Sequence, residues 1–200
     1  MKTINTIAFD LGGVLIELGD VQEMLPEFND STFWARWLSS TSIREFESGQ
    51  VDPDTFAENA VAEFALTASP SEFLAVYTSW PKGLFDGALD LLRQLSPDYQ
   101  LVCLSNTNEI HWERFSRETD LLEHFHVNLP SHITGHMKPD TAVYKHLINT
   151  LGVDPASILF LDDNDLNVQA AKDAGIEADL TRKPGGAKSN LIRRGLLNPL

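Results

Sequence analysis

Short apolar runs alternate with amphipathic stretches along most of this chain. Thr6 to Phe9, Leu101 to Leu104, Val127 to Leu129, Ile158 to Leu161 and Ile176 to Leu180 each have the length and branching of a buried strand. Between them apolar residues fall three and four apart. Ala88, Leu91, Leu92 and Leu95 share one helix face; Tyr144, Leu147, Ile148 and Leu151 share another, with Gly152 as its stop; Ala170, Ala171 and Ala174 lead to Gly175. Strand and helix in alternation, with short links, predict an α/β fold: a Rossmann-like parallel sheet with helices on both faces.

Residues 18–82 break this rhythm, with no convincing strand but several helix starts. Asp52-Pro53 and Ser69-Pro70 each set a capping side chain before a proline suited to the first helical position, and Glu72 completes a capping box with Ser69. Phe56, Ala60, Val61 and Phe64 then form an apolar face. The pattern predicts a small α-helical cap of residues 18–82 inserted into a core of residues 1–17 and 83–200. Trp34, Trp37 and Trp80 fall in or beside it, where packing is the expected role.

Composition narrows the function classes. The 200 residues are 42% hydrophobic and 22% charged, a soluble globular balance, with a formal charge of −14. That charge disfavours a grip on nucleic acid, which needs a basic face to displace counterions. It also repels anionic small molecules unless a local cation or metal offsets it. The N-terminal apolar run is broken by Asp10 after a few residues and fits neither a signal peptide nor a membrane span. No membrane partner is expected, and a cytoplasmic protein, monomer or homodimer, is. Cys103, the single cysteine, reads as a buried inert thiol.

In an open parallel sheet ligands bind beyond the carboxyl ends of the strands. The polar residues that follow the apolar runs are therefore informative: Asp10 after the first, Ser105-Asn106-Thr107-Asn108 after the second, Asp162-Asp163-Asn164 after the fourth, and Lys138 in the segment between the third and fourth. Asp10, Asp162 and Asp163 make a hard oxygen cluster suited to Mg²⁺, while Ser105, Asn106 and Lys138 supply donors and positive charge. A carboxylate about 4 Å from a phosphoryl charge meets roughly 4 kcal/mol of repulsion at an effective dielectric near 20. Mg²⁺ and Lys138 together reverse that sign, which would let Asp10 attack phosphorus and form an aspartyl-phosphate for water to hydrolyse.

"FDLGGVL", "LSNTN", "MKPD" and "LFLDDNDLNV" resemble, in order and spacing, the four motifs of the haloacid dehalogenase-like hydrolase superfamily, in its branch with a helical cap after the first strand. Within it the chain is similar to small bacterial sugar-phosphate phosphatases such as alpha-D-glucose-1-phosphate phosphatase. The resemblance implies Asp10 as nucleophile and metal ligand, the Gly12 backbone carbonyl as a second ligand, Asp163 as the main carboxylate of the last motif with Asp162 assisting, and Ser105, Asn106 and Lys138 on the phosphate. The expected substrate is a small phosphorylated metabolite such as a sugar phosphate.

One position departs from the pattern. Most phosphatases of the superfamily carry a general-acid aspartate two residues after the nucleophile, where this chain has Gly12. General acid catalysis is worth about 10² to 10⁴ in rate, so Gly12 alone predicts a preference for good leaving groups. Two other readings stand beside the phosphatase. A 2-haloacid dehalogenase would attack carbon without a metal, although three uncompensated carboxylates would then resist ionising together. A phosphate-binding or regulatory member would have lost turnover at Gly12.

Other polar residues carry plainer expectations. His132 with His136, and His124 with His126, have chelating spacings but no further ligands to complete a zinc site. Glu17 and Asp20 read as linker residues or substitute acids, and Asn108 and Asn167 as supports for the aspartate loops. Gly185-Gly186 reads as a turn. The cations from Arg182 onward, Lys183, Lys188, Arg193 and Arg194, read as a solvated face.

Overall fold

The computed structural model describes residues 3–20 and 33–199. Five parallel strands form the central sheet: β1 (Thr6–Phe9), β4 (Gln100–Ser105), β5 (Val127–Pro130), β6 (Ile158–Asp162) and β7 (Glu177–Leu180), in the spatial order β5-β4-β1-β6-β7. β1 lies in the middle, Ile7 beside both Leu101 and Leu159. Its four residues are fully covered because helices pack on each face of the sheet. Ile7, Phe9, Leu101 and Cys103 face one apolar layer with α5 (Ala88–Leu95); Ala8, Val102, Leu104 and Phe160 face the other with α8 (Thr141–Leu151) and α9 (Asp165–Asp173). All five expected strands and both α/β layers are present.

The chain leaves β1 through a tight loop in which the Leu11 carbonyl accepts hydrogen bonds from the Val14, Leu15 and Ile16 amides. β2 (Ile16–Leu18) then pairs antiparallel with β3 (Pro81–Leu84), a two-stranded ribbon that brackets the helical segment. The sequence pattern did not anticipate this ribbon. Its strands are three and four residues long and their partners lie more than sixty residues apart, so neither carries a local signature.

Between them the described helices are α1 (Phe33–Ser39), α2 (Thr41–Glu47), α3 (Pro53–Phe64) and α4 (Pro70–Ser79). Asp52 caps α3 through the Thr55 amide, and Ser69 and Glu72 form the expected reciprocal capping box of α4. These helices bury a separate aromatic cluster in which Phe46 stacks on Phe56 at 4.2 Å and Trp37 meets Trp80 at 5.7 Å. The side chain of Trp34 lies outside the described residues.

After β4 come α6 (Glu109–Glu118), and after β5 the short α7 (Ser131–Thr134). The chain closes with α10 (Lys183–Arg193), which contains Gly185 and Gly186. The expected turn is therefore a helix. Pro184 sits in its first turn, and Ala187 and Leu191, fully buried, anchor it to the core, overriding the weak helix preference of two glycines. Among the described residues no helix is long and apolar enough to cross a membrane.

Candidate active site

The sheet order brings together what the chain separates. Asp10, Ser105, Asn106, Lys138 and Asp163 line a single open cleft of about 760 Å³ at the carboxyl ends of β1, β4 and β6, together with the loop at Gly12 and Gly13. Trp37, Leu38, Glu47, Tyr77 and Trp80 of the helical segment line the same cleft. Asp162 lies just beneath it with no exposed surface.

Lys138 is the hub of the floor. Its ammonium, 2% exposed, donates to Asp10 Oδ1 at 2.8 Å and to Asp162 Oδ2 at 2.7 Å, and lies 5.3 Å from the Phe160 ring centre. Burial opposes its charge, yet the two carboxylates outweigh burial and hold its pKa above the usual lysine range. Asn106 fixes the backbone beneath it: the side-chain amide donates to the Lys138 carbonyl and accepts from the Lys138 amide, both at 2.9 Å. The Asn106 side chain is thus engaged in placing Lys138.

The two neighbouring aspartates have different roles in the geometry. Asp162 accepts from Lys138, from the Asn164 amide at 2.8 Å, and on both oxygens from the Asn167 side chain at 3.0 and 3.1 Å. Its bonding capacity is spent on structure. Asp163 lies in the cleft against Gly13: a Cβ on Gly13, whose φ is +70°, would come within 2.3 Å of Asp163 Oδ2. Only glycine allows the two loops to touch so closely.

One carboxylate oxygen each from Asp10, Asp162 and Asp163 fall within 4.8 Å of one another. Burial pushes the Asp10 carboxyl up to about 8; Lys138 opposes this, and the charges of Asp162 and Asp163 reinforce it. Asp163 is raised by burial and by Asp162, against the pull of Lys138 and Arg182. Three carboxylates share one bonded ammonium, so the floor is short of positive charge. The Gly12 carbonyl accepts no hydrogen bond among the described residues. A hard divalent cation fits this donor set of Asp10, Asp163 and a free carbonyl.

Several residues fall elsewhere than the sequence pattern suggests. Arg182 and Lys183 line the cleft; Lys183 donates its amide to the Gly13 carbonyl at 2.8 Å and lies 5.4 Å from the Phe85 ring centre. Arg193 and Arg194 instead pair with Asp179, and Arg194 also with Glu177. Asn108 caps α6 and donates to the Tyr77 hydroxyl at 2.8 Å, tying core to helical segment, while Asn167 does support an aspartate. His111 lies between Asn108 and the Tyr77 carbonyl, and burial pushes it down to about 4, so it is neutral. His132 packs against Trp112; among the described residues, the aspartate trio is the one cluster of potential metal ligands.

Glu47 is a cleft carboxylate that sequence reasoning missed. It falls four residues after buried Ile43 on α2, on the helix's apolar face, and a carboxylate at that position was the available signal. Burial pushes its carboxyl up to about 7, against the pull of Lys138 and Arg44.

Comparison with known proteins follows the same outline. The family model described as haloacid dehalogenase-like hydrolase matches residues 4–175. D-ribitol-5-phosphate phosphatase of Bacteroides thetaiotaomicron is 25% identical over 186 residues, covering 87% of this chain and 90% of that one. A plasmid-encoded phosphoglycolate phosphatase of Cupriavidus necator is 27% identical over 190 residues, with 93% and 76% covered. The magnesium complex of a haloacid dehalogenase family enzyme from B. thetaiotaomicron superimposes with a TM-score of 0.78 at 25% identity, covering 96% of this chain and all of that one.

Proposed function

Because this chain belongs to the haloacid dehalogenase-like hydrolase family, we propose that it is a Mg²⁺-dependent phosphomonoesterase acting on a small phosphorylated metabolite, with a sugar or polyol phosphate favoured. The observation that carries the reading is the floor of the cleft: a nucleophile-capable carboxylate at the tip of the central strand, bonded to a buried lysine and close to two more carboxylates. Relatives named as phosphatases of D-ribitol 5-phosphate and phosphoglycolate support the substrate class.

In this reading Asp10 attacks phosphorus through one carboxylate oxygen, the ester oxygen leaves, and water then hydrolyses the aspartyl-phosphate. Asp10, the Gly12 carbonyl and Asp163 would hold the metal, which when bound supplies the positive charge that lets the nucleophile approach a phosphoryl group. Lys138 orients Asp10 and adds charge to the phosphate site, Ser105 and the Asn106 main chain face the phosphoryl oxygens, and Asp162 fixes Lys138. The core of residues 1–17 and 83–200 performs the chemistry, and the segment 18–82 acts as a cap that selects the substrate. The protein works in the cytoplasm as a monomer or homodimer.

The test is phosphate release from a panel of monoesters, with and without Mg²⁺, by wild type and Asp10→Asn. Wild type should turn over with Mg²⁺ and stop with chelator. Asp10→Asn should lose at least about 10⁴-fold in kcat, the scale seen when a nucleophile is removed. Metal-independent halide release from 2-haloacids would instead select the dehalogenase.

A further inference from the structure

An in-line displacement at phosphorus puts the leaving oxygen on the side opposite the nucleophile. The segment 18–82 lines the same cleft as Asp10, and in the phosphatase reading it supplies the wall toward which the alcohol leaves. Among the described residues, Leu18, Trp37, Leu38, Tyr77, Trp80 and Pro81 supply its apolar and aromatic lining, and Glu47 is its one carboxylate.

Glu47 is held firmly. Its backbone carbonyl accepts a hydrogen bond from Ser131 Oγ, one turn earlier Arg44 pairs with Asp140 at 2.6 Å, and Gly49, with φ of +73°, lies so close to the core that a Cβ would meet the His132 carbonyl oxygen at 2.2 Å. None of these contacts involves the Glu47 carboxylate, which accepts no hydrogen bond among the described residues. Lys138 from the floor, Arg44 on its own helix and the Tyr77 hydroxyl on α4 are the charged and titratable groups that face it. A sheltered carboxylate that accepts no hydrogen bond lowers stability, and such costly groups cluster where reaction chemistry needs a shifted pKa.

We propose that Glu47 is the acid–base group of the reaction, protonating the leaving oxygen in the first step and deprotonating water in the second. The inference rests on the phosphatase reading above. In the first step the bond from Asp10 oxygen to phosphorus forms, the bond from phosphorus to the ester oxygen breaks, and the Glu47 proton goes to that oxygen, releasing the alcohol. In the second, water oxygen bonds to phosphorus, the Asp10 oxygen leaves with its electron pair, and the water proton returns to Glu47. Inorganic phosphate departs and both carboxyl groups regain their starting states.

The alternatives in the cleft are weaker. Gly12 has no side chain, and the space beside it is filled by Leu18, whose Cδ1 would lie 3.2 Å from a Cβ there. Glu17 and Asp165 are exposed at the rim. Both His111 ring nitrogens are engaged, and burial holds the Tyr77 hydroxyl well above its usual range. A carboxyl held near 7 is suited to give and take a proton at neutral pH.

The experiment is single-turnover kinetics on phosphate esters graded from p-nitrophenol to alkyl alcohols, for wild type, Glu47→Gln, Glu47→Asp, Glu17→Gln and Asp10→Asn. For Glu47→Gln the phosphorylation step should slow by about 10²-fold or more on alkyl esters and by less than about fivefold on p-nitrophenyl phosphate, since a good leaving group needs no acid. A burst of p-nitrophenol should precede slow steady turnover. The preference for good leaving groups that Gly12 alone predicts would then emerge in this variant. In wild type the alkyl-ester rate should fall as pH rises past about 7, and that limb should vanish in Glu47→Gln; Glu47→Asp should recover part of the alkyl rate and Glu17→Gln should match wild type within about twofold.

Equal slowing across the series, or none, overturns the proposal while Asp10-dependent turnover leaves the phosphatase reading intact. A wild type inert on every ester overturns both.

Discussion

The two sides of the cleft are built on opposite physical plans. The floor is a lattice of charge: Lys138 bonds two aspartates, Asn106 pins Lys138's backbone, and Asn167 saturates Asp162. The wall is hydrocarbon and aromatic surface, with stacked rings beneath it and one unpartnered carboxylate. Short bonds between charged groups fix positions to a fraction of an ångström, which attack on phosphorus requires. An apolar wall fixes shape and excludes water but leaves the identity of the bound alcohol to fit. On the proposed reading, the floor is where the reaction is determined and the wall where substrates are discriminated, with Glu47 the point at which the wall joins the chemistry.

Removing the hub of the floor should produce the largest effect. Lys138→Met keeps much of the stem but leaves Asp10 and Asp162 buried without their cation. Breaking one side of a buried ion pair typically costs about 3–5 kcal/mol, so urea unfolding at neutral pH should show a loss of that size. Activity should disappear even where the protein remains folded. Asp162→Asn keeps the side-chain shape, leaves Lys138 its bond to Asp10 and removes one like charge, although its amide nitrogen replaces one accepting oxygen, so it should cost less. Equal losses would mean that packing, and not charge pairing, holds the floor.

A smaller effect is expected from the seam between the two sides. The Tyr77 hydroxyl accepts from Asn108, whose amide also reaches His111, and the Tyr77 ring stacks on His111 at 4.7 Å. Tyr77→Phe removes one neutral hydrogen bond and keeps the stacking, so it should cost about 1 kcal/mol in denaturant unfolding. Because the wall would be held less firmly, KM should rise more than kcat falls. A drop in kcat alone would place Tyr77 in the chemistry instead.

The floor was far more legible in the sequence than the wall. β1, β4 and β6 are apolar runs each ending in a polar residue, and sheet topology alone converts such ends into neighbours. That logic located Asp10, Ser105, Asp162 and Asp163 before any contact was known. It did not separate Asp162 from Asp163, because which of two adjacent carboxylates turns inward depends on Lys138 and Asn167, residues distant or displaced in sequence. Helix starts in the segment were readable because capping is local, as at Ser69 and Glu72. Glu47, Arg182 and Lys183 were not placed in the cleft, since each enters through docking of one element on another, which no short-range pattern encodes. The glycine pair in α10 shows the same limit: buried Ala187 and Leu191 decided its conformation.

The smallest effect isolates the unpartnered carboxylate through stability alone. The Glu47 carboxyl titrates near 7 in the folded protein against an ordinary value of 4.5. Between those values the folded state holds more protons than the unfolded one, so stability should fall as pH rises through that window and level off above it. The full span corresponds to about 3 kcal/mol at about 1.36 kcal/mol per pH step of one; solvent reaching a partly exposed group leaves roughly 1 kcal/mol. Glu47→Gln should match wild type near pH 4 and exceed it by that amount near pH 8, measured by urea unfolding in chelator. Asp10, pushed up to about 8, acts in the same direction, so the variant should retain a residual slope. If Glu47→Gln were instead less stable at pH 8, its carboxylate would be a structural partner of Lys138 or Arg44, and the wall would be built on the same plan as the floor.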